Sequence, residues 1–328
     1  MRRSIANLLI AGSVYNVEPN GPREDPYVLV YDHKVTNGKV VRVLTMHRPR
    51  KFNAWTEPML RSMQTAFMKA EEDPMVHGLV VTGSGNYYCA GVHLAGTLKI
   101  AAPSKLREEI FRGNKSVFEA FLLFKKPLVV AANGPAIGAS VTSATLCDGI
   151  ICCSAATFST PFYRLGVTPE GCSSVMFERL MGKSIAERML GKEGYTPDGP
   201  DAVKIGLAIK CVPNVDLPSL RIAPGTVKIS ADQFLAERPM TSLVSEAIDY
   251  VSNVDPKARK IAGKFLRTEG LVSELVEVNI RESRDLAQAF TSARFLKAQE
   301  DFAYSKKRTG QALAFKVART TRPLWNLF

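Results

Sequence analysis

Residues 127–172, PLVVAANGPAIGASVTSATLCDGIICCSAATFSTPFYRLGVTPEGC, constrain this chain more than any other stretch. An apolar, strand-like run from Pro127 to Ala132 breaks at Asn133-Gly134-Pro135. The small residues Gly138-Ala139-Ser140 then open a helix, and a second apolar run spans Gly149 to Cys153. From there Thr157-Phe158 leads to a loop carrying Pro169-Glu170-Gly171, just before another helix. Small residues at a strand-to-helix turn let a ligand approach backbone N–H groups closely. A donor-lined helix start and one carboxylate make a proton-transfer constellation if the fold brings them together.

The flanking sequence supplies a setting. Within 26–46, PYVLVYD and KVVRVLTM read as two strands joined at Thr36-Asn37-Gly38, and Asn-Gly is a hairpin signal. A basic loop, His47-Arg48-Pro49-Arg50-Lys51-Phe52-Asn53-Ala54, follows. Met59, Met63, Ala66, Phe67 and Ala70 recur at helical spacing and predict an amphipathic helix over 55–72. Val76 to Thr82 predicts a strand, 83–97 a glycine-rich loop and 103–124 a helix. Gly171 to Leu190 reads as two short helices broken near Gly182, and 199–213 as a helix and a strand. Strands and helices in this order argue for an α/β core. Beyond about 240, residues 241–253, 256–267 and 271–300 carry helical periodicity alone. Leu271, Leu275, Val278, Leu286, Ala289 and Phe290 line one apolar face, which serves either the chain's own core or a partner or lid. Residues 214–240, richer in Pro and turn residues, read as a linker.

With 328 residues, 46% of them hydrophobic, the chain can bury a substantial core. The net charge of +12 is partly a property of the last turns of the chain. Lys306, Lys307, Arg308, Lys316, Arg319 and Arg322 stand there without an acid among them. Such charge suits an anionic substrate, a membrane surface or nucleic acid. The chain carries no nucleic-acid motif, and no apolar stretch is long enough to span a membrane. The six cysteines lack metal-ligand spacing and read as buried thiols of a reducing compartment; no metal is expected. The N-terminal MRRSIANLLIAGSVYN has two arginines, a serine and no acid before Glu18. It reads either as a mitochondrial presequence or as a plain tail. The C-terminal Trp325-Asn326-Leu327-Phe328 is not an S-K-L peroxisomal address.

Taken together, HRPRKFNAW, GSGNYYCAGVHLA, FKKPLVVAANGPAIGASVTSATLCDGIICCSAATFSTPF and LGVTPEGCSSVMFERLMG resemble the crotonase (enoyl-CoA hydratase/isomerase) superfamily. The resemblance runs from about residue 26 to about 300 and is most specific over 124–182. NGPAIG and TPEGCSS look most like the peroxisomal-type Δ3,Δ2-enoyl-CoA isomerases. The resemblance implies a spiral of ββα units with a helical C-terminal trimerisation region. With the composition read above, the chain divides into a tail at 1–25, a catalytic core at 26–213, a linker at 214–240, a helical region at 241–304 and, beyond the resemblance, a basic tail at 305–328 expected to be disordered. The resemblance also implies an acyl-CoA substrate, no separate cofactor, and a homotrimer or dimer of trimers. A mitochondrial location is expected, with the peroxisome as the alternative.

By motif match, the family's oxyanion donors fall at the amides of Val92, after Ala90-Gly91, and Ala139, after Gly138. Main-chain donors make no demand on side-chain identity, so Val and Ala are admissible there. The isomerase-type base matches Glu170. The two glutamates that hydratases use match Thr142 and Phe162, neither of which can act as a base. The Ala90 carbonyl matches an adenine contact, and Arg48, Arg50 and above all Lys51 stand where charge would meet CoA phosphates. Phe158, Phe162 and Tyr163 read either as acyl-pocket walls or as core. His93 stands where the family commonly has an acid, and Cys89 and Cys172 flank the site. The function implied is 3-enoyl-CoA to 2-trans-enoyl-CoA isomerisation in unsaturated fatty acid β-oxidation. The rivals are a dienoyl-CoA isomerase, an acyl-CoA hydrolase, and an acyl-CoA-binding module without turnover of the chromodomain-Y type.

Overall fold

The structure, a computed structural model, describes residues 27–35, 38–93, 103–213, 242–255, 268–305 and 307–322. Several sequence readings lie outside those residues: the N-terminal tail, Thr36-Asn37 of the hairpin turn, the end of the glycine-rich loop, the 214–240 linker, the 256–267 helix and the last residues of the basic tail.

The chain opens with β1 (Val28–Lys34) and β2 (Val40–Met46), then α1 (Glu57–Glu72), β3 (Val76–Gly83) and α2 (Pro103–Leu122). The central stretch gives β4 (Leu128–Ala132), β5 (Ala136–Ile137), α3 (Ala139–Ala144), β6 (Gly149–Cys153), β7 (Phe158–Ser159) and α4 (Phe162–Leu165). After it come α5 (Ser173–Met181), α6 (Lys183–Leu190), α7 (Gly199–Lys204) and β8 (Lys210–Val212). The helical region holds α8 (Ser242–Asn253), α9 (Glu269–Phe290), α10 (Ala293–Ser305) and α11 (Thr309–Thr321).

Six strands form one sheet in the order β1-β2-β3-β4-β6-β8. β1 and β2 pair antiparallel, from Val28 opposite Met46 to Lys34 opposite Val40; every later neighbour is parallel. β4 and β6 are buried at every position, which is why both read as unbroken apolar runs rather than alternating ones. β5 and β7 leave this sheet and pair with each other, Ala136 opposite Phe158. α1 turns Met59, Met63, Phe67 and Ala70 onto β1, β2 and β3, and α8 lies against β3, β4 and β6. The mixed sheet and the helical C-terminal region are those of a crotonase-type α/β fold.

Two features depart from the sequence reading. The 271–300 helix is two helices, broken at Thr291-Ser292, where the Ser292 hydroxyl accepts from Phe295 N at 3.1 Å. The basic tail is not disordered throughout: Thr309–Thr321 is a helix lying on α10. Ala312 and Phe315 are buried in a second apolar cluster with Ile110, Leu286, Phe290 and Phe295. Arg319 meets the buried Glu300 at 3.0 Å. Counting charges along the tail hid the two apolar positions that fold it.

Candidate active site

The two amide-bearing arms are joined by main-chain hydrogen bonds. Cys89 N donates to Pro135 O at 3.2 Å and Ile137 N donates to Cys89 O at 3.0 Å, so 89 and 136 form a parallel bridge. The fully buried Ser140 hydroxyl accepts from Ile137 N at 2.9 Å and lies 2.9 Å from Cys89 O, to which it donates. The other side of the first arm is pinned by Trp55: its amide donates to Gly91 O at 2.8 Å, and its carbonyl accepts from His93 N at 2.8 Å. That bridge uses the polar groups on either side of Val92 and leaves the Val92 amide aimed elsewhere. Ala139 is the first residue of α3, so its N–H has no carbonyl within the helix. Among the described residues neither amide donates a hydrogen bond.

Two glycines make this approach possible. Gly91 has φ +76°, and a Cβ there would stand 2.4 Å from Ile137 O and 3.8 Å from Ala139 N. Gly138 has φ +61° and ψ −124°, a combination closed to residues with a side chain. Both arms therefore touch along bare backbone.

Glu170 reaches the same place through α3. A Cβ on Gly171, at φ +65°, would stand 2.7 Å from the Thr142 hydroxyl and 2.4 Å from the Phe118 ring. Thr142 lies one turn after Ala139 and donates to its carbonyl at 3.3 Å. The loop carrying Glu170 is thus seated on the helix whose first amide is a donor. The Glu170 carboxylate is 7% exposed and accepts from Asn114 Nδ2 at 2.5 Å. Burial pushes its pKa up to about 7, helped by the nearby charge of Glu282 and opposed by the Asn114 hydrogen bond.

The other residues singled out in the sequence are distributed as follows. Thr142 is fully buried. Phe162 is buried, with its ring edge 4.0 Å from where a Gly138 Cβ would be, so it borders the amide site. Phe158 is fully buried in the main apolar cluster. Tyr163 is exposed under the Arg294 guanidinium. Lys51 and Arg50 are exposed on the short turn at 49–51. Arg48 is committed to Ala54 O at 2.6 Å and to the Tyr27 ring. Ala90 N donates to Phe52 O at 2.9 Å, placing the first arm beside that basic turn. His93 is half-buried. Cys89 and Cys172 are buried, and burial pushes the Cys89 thiol up to about 12.

Sequence reasoning missed the residues that hold Glu170. Ser283 Oγ donates to Asn114 Oδ1 at 2.8 Å, which turns the Asn114 NH2 toward the carboxylate. Asn279 Nδ2 donates to Lys115 O at 3.0 Å. Glu282, 4% exposed, accepts from Cys172 N at 2.7 Å and Ser174 N at 3.0 Å. Asn279, Glu282 and Ser283 interrupt the apolar face of α9 at i, i+3 and i+4. Buried polar residues set into an apolar stripe are the signal that was available. Within this chain the α9 face packs on α2 and on the Glu170 loop.

The site thus brings two unpaired main-chain amides and one buried carboxylate onto a mixed α/β fold. The comparisons agree. The sequence profile of the Enoyl-CoA hydratase/isomerase family matches residues 36–233, and the chain belongs to that family. It is 32% identical over 250 residues to the uncharacterized protein B0272.4 of Caenorhabditis elegans, covering 76% of this chain and 87% of that one. It is 33% identical over 218 residues to the probable enoyl-CoA hydratase EchA14 of Mycobacterium tuberculosis, covering 65% of this chain and 80% of that one. Enoyl-CoA delta isomerase 2 of Rattus norvegicus is 38% identical over 159 residues, 48% of this chain and 40% of the relative. Pseudomonas aeruginosa OdaA, at 24% identity, superposes with a TM-score of 0.64 over 84% of this chain and 98% of its own, which supports the fold. Membership of that family points to an enzyme acting on enoyl-CoA.

Proposed function

We propose that this protein is a Δ3,Δ2-enoyl-CoA isomerase working with a single glutamate. The observation that carries the reading is the carboxylate inventory beside the paired amides. Glu170 is buried there with its pKa at about 7, while the positions that match the hydratase glutamates by motif hold Thr142 and Phe162. Hydration needs two groups to hold and activate a water; isomerisation needs one group that takes and returns a proton.

In this reading the thioester carbonyl oxygen of a 3-enoyl-CoA lies between Val92 N–H and Ala139 N–H. Glu170 as carboxylate removes a proton from C2. The electron pair moves into the thioester as an enolate, and the two amides stabilise the negative oxygen. Glu170, now protonated, delivers the proton to C4 as the enolate collapses, and the double bond settles between C2 and C3. A base balanced near neutrality both accepts and releases the proton readily. Phe162 bounds the acyl end, and Lys51 and Arg50 lie where CoA phosphates would add charge complementarity. Assembly as a homotrimer or dimer of trimers and a mitochondrial address are parts of the same proposal.

The test is conversion of a 3-enoyl-CoA to the 2-trans isomer by wild type and by Glu170→Gln. Loss of about 10²–10⁴-fold in the variant is expected for removal of a general acid/base. A wild type that binds acyl-CoA without turning it over would replace this reading with that of an acyl-CoA-binding module. An active Glu170→Gln would remove Glu170 from the mechanism.

A further inference from the structure

We infer that Glu282 of α9 is a positioning residue for Glu170, acting through the amides of Cys172 and Ser174 and through its own negative charge. The inference rests on the isomerase reading for its kinetic consequence and on geometry for the rest.

Glu282 comes from a helix 110 residues further along the chain than the amide it binds. One oxygen accepts from Cys172 N and the other from Ser174 N, the entry to α5. Both oxygens accept at full strength only as the anion, and the start of a helix favours an anion. Gly171 and Cys172 both have left-handed backbone, φ +65° and +62°, so the turn that carries Glu170 needs an external brace. Glu282 is that brace. It fixes the amides two and four residues after Glu170, while Asn114 and Ser283 fix the carboxylate itself.

The two buried carboxyls are held by separate partners, Glu170 by Asn114 and Glu282 by the Cys172 and Ser174 amides. Arg281, the next residue on α9, is exposed, and on α2 the Lys115 ammonium pairs with Glu119 at 2.7 Å. The Cys172 thiol lies 3.2 Å from Leu275 O, to which it donates, and burial and the Glu282 charge keep it a neutral donor. Burial holds Glu282 itself above the ordinary carboxylate value, with the amides of Ser174 and Cys172 and the charge of Arg281 opposing. Glu282 in turn adds to the rise at Glu170. A second buried anion makes Glu170 a better proton carrier at neutral pH than burial alone would.

The experiment is the pH dependence of kcat/KM for wild type and Glu282→Gln, with a carbon-13 NMR titration of the glutamate carboxyls in the full chain. The Glu170 resonance is assigned by its disappearance in Glu170→Gln. Removing a neighbouring negative charge lowers the pKa of Glu170, so the acid limb and the Glu170 inflection are both expected to move to lower pH by about half a unit or more. A merely structural role would lower kcat and leave both where they were, and that outcome would overturn the inference. If neither protein isomerises a 3-enoyl-CoA, the NMR arm still decides: a shifted inflection supports Glu282 while the isomerase reading falls. If Glu282→Gln does not fold, the wild-type titration decides instead. Coupled carboxyls give a Glu170 curve with a second inflection, and a single-step curve refutes the coupling.

Discussion

Replacing Glu170 by Gln should make the protein more stable at alkaline pH, in an amount that depends on pH. Glu170 is shielded from water, and its pKa rises from 4.5 to about 7 on folding. A carboxyl whose folded value is raised contributes its stability in full below the unfolded value and loses it as pH climbs through the folded one. Protonated, the buried group is tolerated; charged, it is not. The full difference corresponds to about 3 kcal/mol, of which about 2.5 kcal/mol falls between pH 5 and pH 8. Gln keeps the shape and can still accept the Asn114 hydrogen bond, and it never ionises. The stability of Glu170→Gln relative to wild type should therefore improve by about 2–3 kcal/mol from pH 5 to pH 8. Chemical denaturation of both proteins at a series of pH values reads this directly, with other titrating groups cancelling in the comparison. A difference that stays flat across the range would refute the claim that Glu170 is a buried, proton-holding carboxyl, whatever the variant's activity.

Three further outcomes follow from the same geometry. Asn114→Ala removes the hydrogen bond that holds Glu170 down, so its pKa should climb and the acid limb of kcat/KM should move up by about one pH unit, opposite in sign to Glu282→Gln. Gly91→Ala places a Cβ 2.4 Å from Ile137 O at a φ of +76°. It should cost about 1–3 kcal/mol of stability and spread the two amides apart, read as a fall in kcat by enolate trapping or isomerisation assay. Five of the six free thiols are buried, and burial drives Cys89 up to about 12. A thiol reagent at neutral pH should label Cys211 alone in the native protein and the remaining cysteines only on unfolding, as mass spectrometry of the labelled chain would show.

Much of the architecture was legible because it rests on local rules. Unbroken apolar runs at 128–132 and 149–153 announced strands buried on both faces, and the periodicity of Met59, Met63 and Phe67 announced α1. Gly138 and Glu170 drew notice as a small residue at a strand-to-helix turn and a carboxylate before a helix, but the roles given to them and to Gly91 came from the resemblance to the family's motifs. The tail misled because two apolar residues, Ala312 and Phe315, decide whether a basic segment folds, and they matter only once α10 offers a surface. Tertiary structure alone joined Cys89 to Ala136, seated Gly171 on Thr142, brought Asn114 to Glu170 across 56 residues of chain, and brought Ser283 to Asn114 across 169. A main-chain amide leaves no trace in residue identity, and a polar side chain on a helix gains meaning only from the partner that faces it. Sequence therefore determined the strands, the paired-glycine turns and the candidate base. Folding decided which amides stay free, which groups surround the carboxylate, and hence the pH at which it holds its proton.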